Sequence, residues 1–297
     1  MTTSKHKGTL QRILPFAKYH ALGNDMLVID PARFKRPLTP PTIQLLCHRH
    51  FGLGSDGICY GPLPAPDGAW GLRFFNPDGT EAEKSGNGLR IFARYLWDAG
   101  YVNGRFFTLH INNEPIPVEI LDDEARQMRL ALGQASFLST ALPMTGPARA
   151  VVGELVEFAG ERWQITAVSV GNPHCIIFTN NLDDIHRLGP MIENSPHFPQ
   201  RTNVQLVRVM NDHAIELEIW ERGAGYTLAS GTSSSAAAAA AIRNGFCRSP
   251  VTAHMRGGTA QIFVDEAWRI EQIGSVTAVA VGEVAGDLEE EFVTSNQ

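Results

Sequence analysis

The segment TLASGTSSSAAAAAAIRNG, residues 227–245, decides how the rest of the sequence is interpreted. Its Ser230-Gly231-Thr232 start is typical of a helix N-terminus, and six consecutive alanines follow at 236–241. Alanine has the highest helix propensity but almost no side-chain volume. Because these alanines offer little polar surface to water, we interpret the segment as a central helix closely wrapped by strands, and not as a surface helix.

A second helix of the same design is predicted earlier, in SGNGLRIFARYLWDAG at residues 85–100. Its apolar residues recur with a period near 3.6, and Gly100 suits its C-terminal end. A predicted strand and the turn Asn76-Pro77-Asp78-Gly79 precede it. The order of strands, glycine-rich turn and Ser-Gly helix start therefore occurs twice. This repetition predicts two related α/β halves whose helix N-termini meet at one cleft.

The remaining elements are predicted mainly as strands. Two strands lie within residues 13–31, alternating strands run from 106 to 178, and a hairpin turns at Asn211-Asp212. A short helix is expected after Pro40-Pro41, ending at Gly52. His48 and His50 would point apart on that helix, so we expect no metal site. The acidic run 287–291 is interpreted as a solvated tail.

Composition restricts the class of protein. Of the 297 residues, 43% are hydrophobic and 19% charged, which is ordinary for a globular protein. The formal net charge of −6 does not favour a nucleic-acid or anionic membrane partner. No apolar run is long enough for a membrane span, and no signal peptide is evident. The four cysteines are widely spaced, so we expect reduced, mostly buried thiols in a cytoplasmic protein.

Two converging helix N-termini suit one particular reaction. Their backbone N–H groups and partial positive charge would hold the α-carboxylate of an amino acid. Residues 85 and 230 would then lie on opposite faces of the α-carbon, where one removes a proton and the other delivers one. A thiol, with a pKa of about 8.5 that falls at a helix N-terminus, suits this role. The sequence has Ser85 and Ser230 instead, and a hydroxyl is a far weaker acid that needs a neighbouring base.

Five sequence blocks resemble the diaminopimelate epimerase family in order and spacing. They are FAKYHALGNDMLVID, FFNPDGTEAEKSGNGLRIFARY, VSVGNPHCIIF, FPQRTNVQLV and ERGAGYTLASGTSSSAAAAAA. The resemblance extends from about residue 14 to residue 283. It implies an α/β (α+β) fold of two pseudo-symmetric domains, each a curved, mostly antiparallel sheet wrapped around a central helix. It also implies a racemase or epimerase that uses neither pyridoxal phosphate nor a metal.

The resemblance assigns roles to individual positions. Ser85 and Ser230 occupy the two catalytic cysteine positions, Glu221 lies beside the reacting centre, and His174 tunes the catalytic pair. The positions expected to bind the proximal carboxylate are Gly86, Asn87, Gly231 and Thr232. Those expected to hold the distal amino-acid end are Asn24, Asn76, Asn172, Asn203 and Arg222. Four amides and one guanidinium suit a second carboxylate and ammonium, which favours diaminopimelate over a monoamino acid.

The expected organisation is an N-terminal domain at 13–134, completed by 280–292, and a C-terminal domain at 135–279. Residues 1–12 and 293–297 are expected to be flexible tails. By resemblance the expected assembly is a homodimer with a small amino acid as its ligand.

The sequence is compatible with three explanations for the paired serines. The first is a deliberate double Cys→Ser replacement that traps substrate or prevents thiol oxidation. The second is a natural member of the family with a different reaction, such as isomerisation or dehydration. The third is a binding protein without turnover.

Overall fold

The computed structural model describes residues 14–34, 36–82, 85–112 and 114–294. The elements of the first half are β1 (Leu14–Ala21), β2 (Asn24–Ile29), α1 (Pro40–Cys47), β3 (Ile58–Pro64), β4 (Trp70–Phe75), β5 (Glu81–Ala82), α2 (Gly86–Asp98), β6 (Phe106–Ile111), β7 (Glu114–Ile120) and β8 (Gln127–Gln134). Those that follow are β9 (Glu154–Phe158), β10 (Glu161–Ser169), β11 (Pro173–Phe178), α3 (Ile185–Glu193), β12 (Asn203–Asn211), β13 (Ala214–Glu221), β14 (Gly225–Thr227), α4 (Gly231–Arg243), β15 (Val251–Met255), β16 (Gly258–Val264), β17 (Arg269–Ser275), β18 (Thr277–Val284) and α5 (Gly286–Thr294).

The two halves have the same strand connections. In the first, the neighbouring strands are β1, β2, β3, β4, β6, β7 and β8; in the second they are β10, β11, β12, β13, β15, β16 and β17. In each series the second and third strands are parallel, as are the fourth and fifth, and the other neighbours are antiparallel. An outer strand flanks each series, β18 beside β1 and β9 beside β10, and β8 joins β17. The predicted fold class is confirmed.

A central helix fills the curve of the sheet in each half. On α2 the side chains of Leu89, Phe92 and Leu96 are fully buried and pack towards β1, β2, β3 and β8. On α4 every alanine from 236 to 241 has no exposed surface, and strands of the second half surround it. Alanine allows strands to approach a helix more closely than leucine does, because it ends at Cβ. The alanine segment is therefore a central helix, as predicted.

The structure corrects the prediction for the segment around His48 and His50. Helix α1 ends at Cys47, before Gly52, and both histidines lie in the turn that follows. His48 Nδ1 accepts the backbone N–H groups of His50 and Phe51, each at 3.1 Å. These bonds stabilise a turn in place of another helical turn, so the expectation that both histidines lie on a helix was wrong.

The acidic run near the C-terminus is also corrected. It belongs to helix α5, where Leu288 and Phe292 face the same way and join the apolar cluster beneath α1. Glu289 accepts from Arg36 Nε at 2.7 Å. Four-residue spacing gives this segment an apolar side despite its charge, so it is a docked helix and not a solvated tail. Of the predicted tails, residues 293 and 294 form the end of α5, and residues 1–12 and 295–297 lie outside the described residues.

No helix in the described ranges is both long and apolar enough to cross a membrane. The four cysteines Cys47, Cys59, Cys175 and Cys247 are buried and not joined in disulfides, as the wide spacing predicted.

Candidate active site

A cleft of about 830 Å³ lies at the N-termini of α2 and α4. Residues of both halves line it, although the two helices are far apart in sequence. It contains eleven of the thirteen site residues predicted from sequence: Asn24, Asn76, Ser85, Gly86, Asn87, Asn172, Glu221, Arg222, Ser230, Gly231 and Thr232. His174 and Asn203 do not line it and lie behind its wall.

The two serines occupy equivalent positions, each as the N-cap of a central helix. Ser85 Oγ accepts the backbone N–H of Gly88 at 3.1 Å, and Ser230 Oγ accepts that of Ser233 at 3.4 Å. Both serines have extended backbone angles, as an N-cap requires. The other N–H groups in the first turn of each helix lack intrahelical acceptors, so they are available to an anion bound in the cleft.

The two helix ends touch through a pair of glycines. A methyl group on Gly231 would lie 3.1 Å from the Gly86 Cα, and one on Gly86 would lie 3.3 Å from the Gly231 Cα. Both separations are shorter than ordinary contacts between carbon atoms. Glycine at these positions lets two positive helix ends converge on one small region, where a single carboxylate would contact both.

Asn87 links the two helix ends directly. It is the second residue of α2, and its Nδ2 donates to the Ala229 carbonyl oxygen at 3.1 Å. Ala229 immediately precedes Ser230, so this bond fixes the start of α4 relative to α2. The Asn87 side chain is 3% exposed, and its amide is used in this bridge. Any direct contact with a carboxylate must therefore come chiefly from its backbone N–H.

Glu221 is the carboxylic acid next to Ser230. Burial is the main cause that raises its pKa above the ordinary value, and the negative charge of Asp56 adds to the effect. A hydrogen bond from Ser230 acts in the opposite direction. A carboxyl group that keeps its proton to higher pH than usual is better suited to donate a proton than an ordinary glutamate. Glu221 is the last residue of β13 and lines the cleft.

His174 supports the cleft wall from behind. Its ring has no exposed surface, and its Nε2 lies 2.8 Å from Asn172 Oδ1. Its Nδ1 lies 3.3 Å from Gln205 Oε1, and Gln205 Nε2 donates to Ser233 Oγ at 3.0 Å. Burial lowers the pKa of His174 to about 3, and the positive charge of Arg222 contributes. The imidazole is therefore neutral at physiological pH and orients Asn172.

Asn203 also acts from behind the wall. Its Nδ2 donates to the Pro173 carbonyl oxygen at 2.8 Å, and its Oδ1 accepts the backbone N–H of Arg222 at 2.9 Å. The side chain is 5% exposed. It therefore joins the segments that carry Asn172 and Arg222 without lining the cleft itself.

Comparison with known proteins agrees with this geometry. A sequence profile described as diaminopimelate epimerase matches residues 16–138 and 166–279. Diaminopimelate epimerase 2 of Nostoc sp. is 46% identical over 280 residues, which are 93% of this chain and 97% of the relative. The diaminopimelate epimerase of Pelotomaculum thermopropionicum is 39% identical over 90% of this chain and 98% of the relative. The chain belongs to the diaminopimelate epimerase family.

Solved structures show that the same fold extends beyond the diaminopimelate epimerase family. A probable proline racemase from Agrobacterium radiobacter K84 has a TM-score of 0.68 at 15% identity, with 93% of this chain and 94% of that chain covered. A hydroxyproline epimerase from Agrobacterium vitis has a TM-score of 0.69 at 13% identity, with 94% of each covered. At these identities the likeness concerns the fold alone.

One group of charged residues at the cleft was not predicted from the sequence. Asp56 accepts from Asn24 Nδ2 at 3.1 Å, and Arg49 Nη2 bridges Asp56 at 2.5 Å and Asp25 at 2.8 Å. Both Arg49 and Asp56 line the cleft. Their approach to Asn24 depends on the parallel pairing of β2 with β3, and the only local signal was the glycine-rich FGLGSDG around Asp56. The described residues contain no cluster of three His, Cys, Asp or Glu side chains placed to hold a metal ion.

Proposed function

We propose that this chain binds 2,6-diaminopimelate and that residues 85 and 230 are the proton-transfer positions for interconverting its LL and meso forms. The observation that carries the proposal is the contact of two helix N-termini at the cleft floor, with Ser85 and Ser230 capping them. An α-carboxylate held by both helices would place the α-carbon between the two capping residues. Inversion at that carbon requires one group on each face.

The residues at 85 and 230 determine how fast this scaffold turns over. Backbone N–H groups at a helix N-terminus stabilise a thiolate, and thiol pKa values there fall to about 3.5–7.5. A serine hydroxyl remains protonated in the same position and is also used as a helix cap. We therefore propose that Ser85 and Ser230 stand at the family's cysteine positions and that turnover is strongly depressed. Among the three explanations for the pair, a deliberate double replacement ranks first, because the rest of the site is intact.

The rim of the cleft suits the distal amino-acid end. Arg222 brings a cation, and Asn24, Asn76 and Asn172 bring amides that both donate and accept. Arg222 Nη1 donates to the Gln200 carbonyl oxygen at 3.3 Å, which anchors the guanidinium at the rim. A monoamino acid bound at the helix ends has no group that reaches this polar rim, so it would gain none of the hydrogen bonds or charge interactions that the rim offers. The rim therefore supports a substrate with a second carboxylate and ammonium.

A second candidate reaction is favoured by Glu221. This residue brings a proton-exchanging carboxyl to the Ser230 side of the cleft. A single acid–base group removes and returns a proton on one face, which moves a double bond or exchanges the proton without inversion. A one-base isomerase acting on another small carboxylate is therefore the alternative.

The decisive experiment is α-proton exchange in deuterated water, followed by NMR. LL-diaminopimelate is incubated with the chain as given and with Ser85→Cys/Ser230→Cys. We expect exchange with inversion only with the two cysteines, and calorimetry should detect binding by both proteins. If neither protein exchanges or binds millimolar diaminopimelate, the substrate assignment is wrong. A product with altered unsaturation would select the one-base isomerase.

Organisation and assembly are proposed with the function. The pairing of β18 with β1 supports a first domain at 13–134 completed by 280–292, with 135–279 as the second. The exposed β18 residues Val279 and Val281, at 52% and 82% exposure, support a homodimer formed along this strand. Sedimentation equilibrium would test it, with Val281→Lys expected to weaken the dimer. The four unpaired cysteines support a cytoplasmic location.

A further inference from the structure

Arg90 is a buried cation directly beneath the paired helix ends. It lies in the second turn of α2 and has no exposed surface. Its Nη1 donates to Gln272 Oε1 and its Nη2 donates to Asn87 Oδ1. Within the described residues its Nε has no hydrogen-bond partner, and no carboxylate forms an ion pair with it.

A buried cation without a carboxylate partner destabilises the folded protein, so its presence here indicates a functional role for the charge. Burying a cation with only neutral partners is unfavourable, and an apolar side chain of similar size would be the cheaper choice. The surrounding backbone also makes room for it, since a methyl group on Gly274 would lie 2.8 Å from Arg90 Cζ. Burial lowers the pKa of Arg90 to about 10, so the guanidinium remains charged at neutral pH.

Both neutral partners of Arg90 lead to the start of α4. Asn87 Nδ2 donates to the Ala229 carbonyl oxygen at 3.1 Å. Gln272 Nε2 donates to the Gly231 carbonyl oxygen at 3.2 Å and to Ser234 Oγ at 3.0 Å. A guanidinium in α2 is thus connected through two amides to the first turn of α4. Its charge lies under the region where the two helix dipoles converge.

We propose that Arg90 is a positioning residue that holds the two helix ends together through Asn87 and Gln272 and adds a fixed positive charge to the anion site they form. The charge would favour a carboxylate in the cleft and would also favour thiolate over thiol at positions 85 and 230. A negative ligand would in turn offset the cost of burying the cation. This inference rests on the proposed function for its ligand, but its effect on a thiol is independent of any substrate.

The test uses thiols as reporters in the full chain. Ser85→Cys and Ser230→Cys are made singly, and the thiol pKa is read from the pH dependence of alkylation, with the modified peptide identified by mass spectrometry. Each is combined with Arg90→Met, which removes the charge, and with Arg90→Lys, which retains it. We expect Arg90→Met to raise the thiol pKa at both positions by about one unit, a tenfold loss of thiolate. Arg90→Lys should restore at least half of that shift.

A purely structural role would give a different result. If Arg90→Met and Arg90→Lys leave both thiol pKa values unchanged in folded protein, the inference is overturned. Should Arg90→Met fail to fold, Gln272→Glu places a carboxylate beside Arg90 and is expected to raise both thiol pKa values as well. Gln127→Glu, at an exposed position of β8, is the control of equal charge. A thiol shift without diaminopimelate binding would support the role of Arg90 while refuting the substrate assignment.

Discussion

The two halves of the molecule share a scaffold but differ in what they place beside their helix ends. In the first half, Asn76 follows β4 nine residues before the N-cap Ser85; in the second, Glu221 ends β13 nine residues before the N-cap Ser230. The first position carries a neutral, exposed amide and the second a carboxyl with a raised pKa. Equivalent backbones therefore give two equivalent proton-transfer positions in different electrostatic surroundings.

The two central helices also differ in the side chains that they bury. Helix α2 has large apolar residues such as Phe92 and a buried cation at Arg90, whereas α4 has alanines and a run of buried serines at 233–235. The bulky side chains of α2 fill the space inside its curved sheet, whereas the small side chains of α4 let the strands approach its backbone closely. The two halves are therefore alike where the helix ends meet and differ where each helix packs against its sheet.

The glycine contact is where the shared scaffold is most easily broken. Gly231→Ala would press a methyl group against Gly86 and Gln272, each 3.1 Å away. To relieve these contacts the two helix ends must move apart, which separates the N–H groups proposed to hold the carboxylate. We therefore expect diaminopimelate affinity to fall by roughly tenfold, about 1.4 kcal/mol. Calorimetric titration measures the change.

The matched control is Gly104→Ala, where the nearest atom would lie 3.8 Å away. It should bind diaminopimelate as the parent does. Equal affinities for Gly231→Ala and Gly104→Ala would show that the two helix ends do not need to touch.

The buried His174 of the second half should make the protein less stable in acid. Its pKa in the folded protein is about 3, against an ordinary value of 6.5, so below about pH 6.5 the unfolded chain binds a proton that the folded chain does not. Stability should therefore fall as the pH decreases, by about 2 kcal/mol between pH 7 and pH 5 from this residue. His174→Gln should remove that part of the loss in urea unfolding experiments.

His50→Gln, at an exposed position, provides the comparison. It should lose as much stability as the parent between pH 7 and pH 5. If His174→Gln behaves in the same way as His50→Gln, His174 is not held neutral by burial.

The Asn76–Glu221 difference should appear in thermal unfolding. Because the pKa of Glu221 is raised on folding, its contribution to stability is present below its unfolded pKa and is lost as the pH rises through the folded value. Glu221→Gln should therefore raise the Tm at pH 8, where the buried carboxylate is lost, and leave it nearly unchanged at pH 4. Calorimetric scans of ligand-free protein would measure this.

The equivalent change in the first half is Asn76→Asp. Since Asn76 is exposed, the new carboxylate should leave the pH dependence of the Tm nearly unchanged. A similar response at both positions would contradict the proposed difference between the halves.

The sequence predicted those parts of the fold that have strong local patterns. Helices α2 and α4 and the hairpin at Asp212 were all identified, because periodicity and turn residues act locally. Helix α3 was not predicted: Gly189 and Pro190 interrupt its pattern. A methyl group on Gly189 would lie 2.6 Å from Trp220. Glycine is therefore needed at this position for a long-range packing contact, which no local sequence pattern predicts.

Site prediction had a similar limit. The family resemblance brought the right segments together, but it could not show which way each side chain points. Asn203 and His174 do not line the cleft but support its wall through hydrogen bonds. Asp56 does line the cleft, because the parallel pairing of β2 with β3 brings its segment beside Asn24. The buried Arg90 gave no signal either, since an arginine on an amphipathic helix is usually exposed.

Single-cysteine variants show whether residues 85 and 230 face opposite sides of one α-carbon. Ser85→Cys and Ser230→Cys are each incubated in deuterated water with LL- and with meso-diaminopimelate, and α-deuteration is followed by NMR. We predict that each variant deuterates one stereoisomer only, with retention, and that the two variants choose different stereoisomers. Deuteration of the same stereoisomer by both variants would contradict this arrangement.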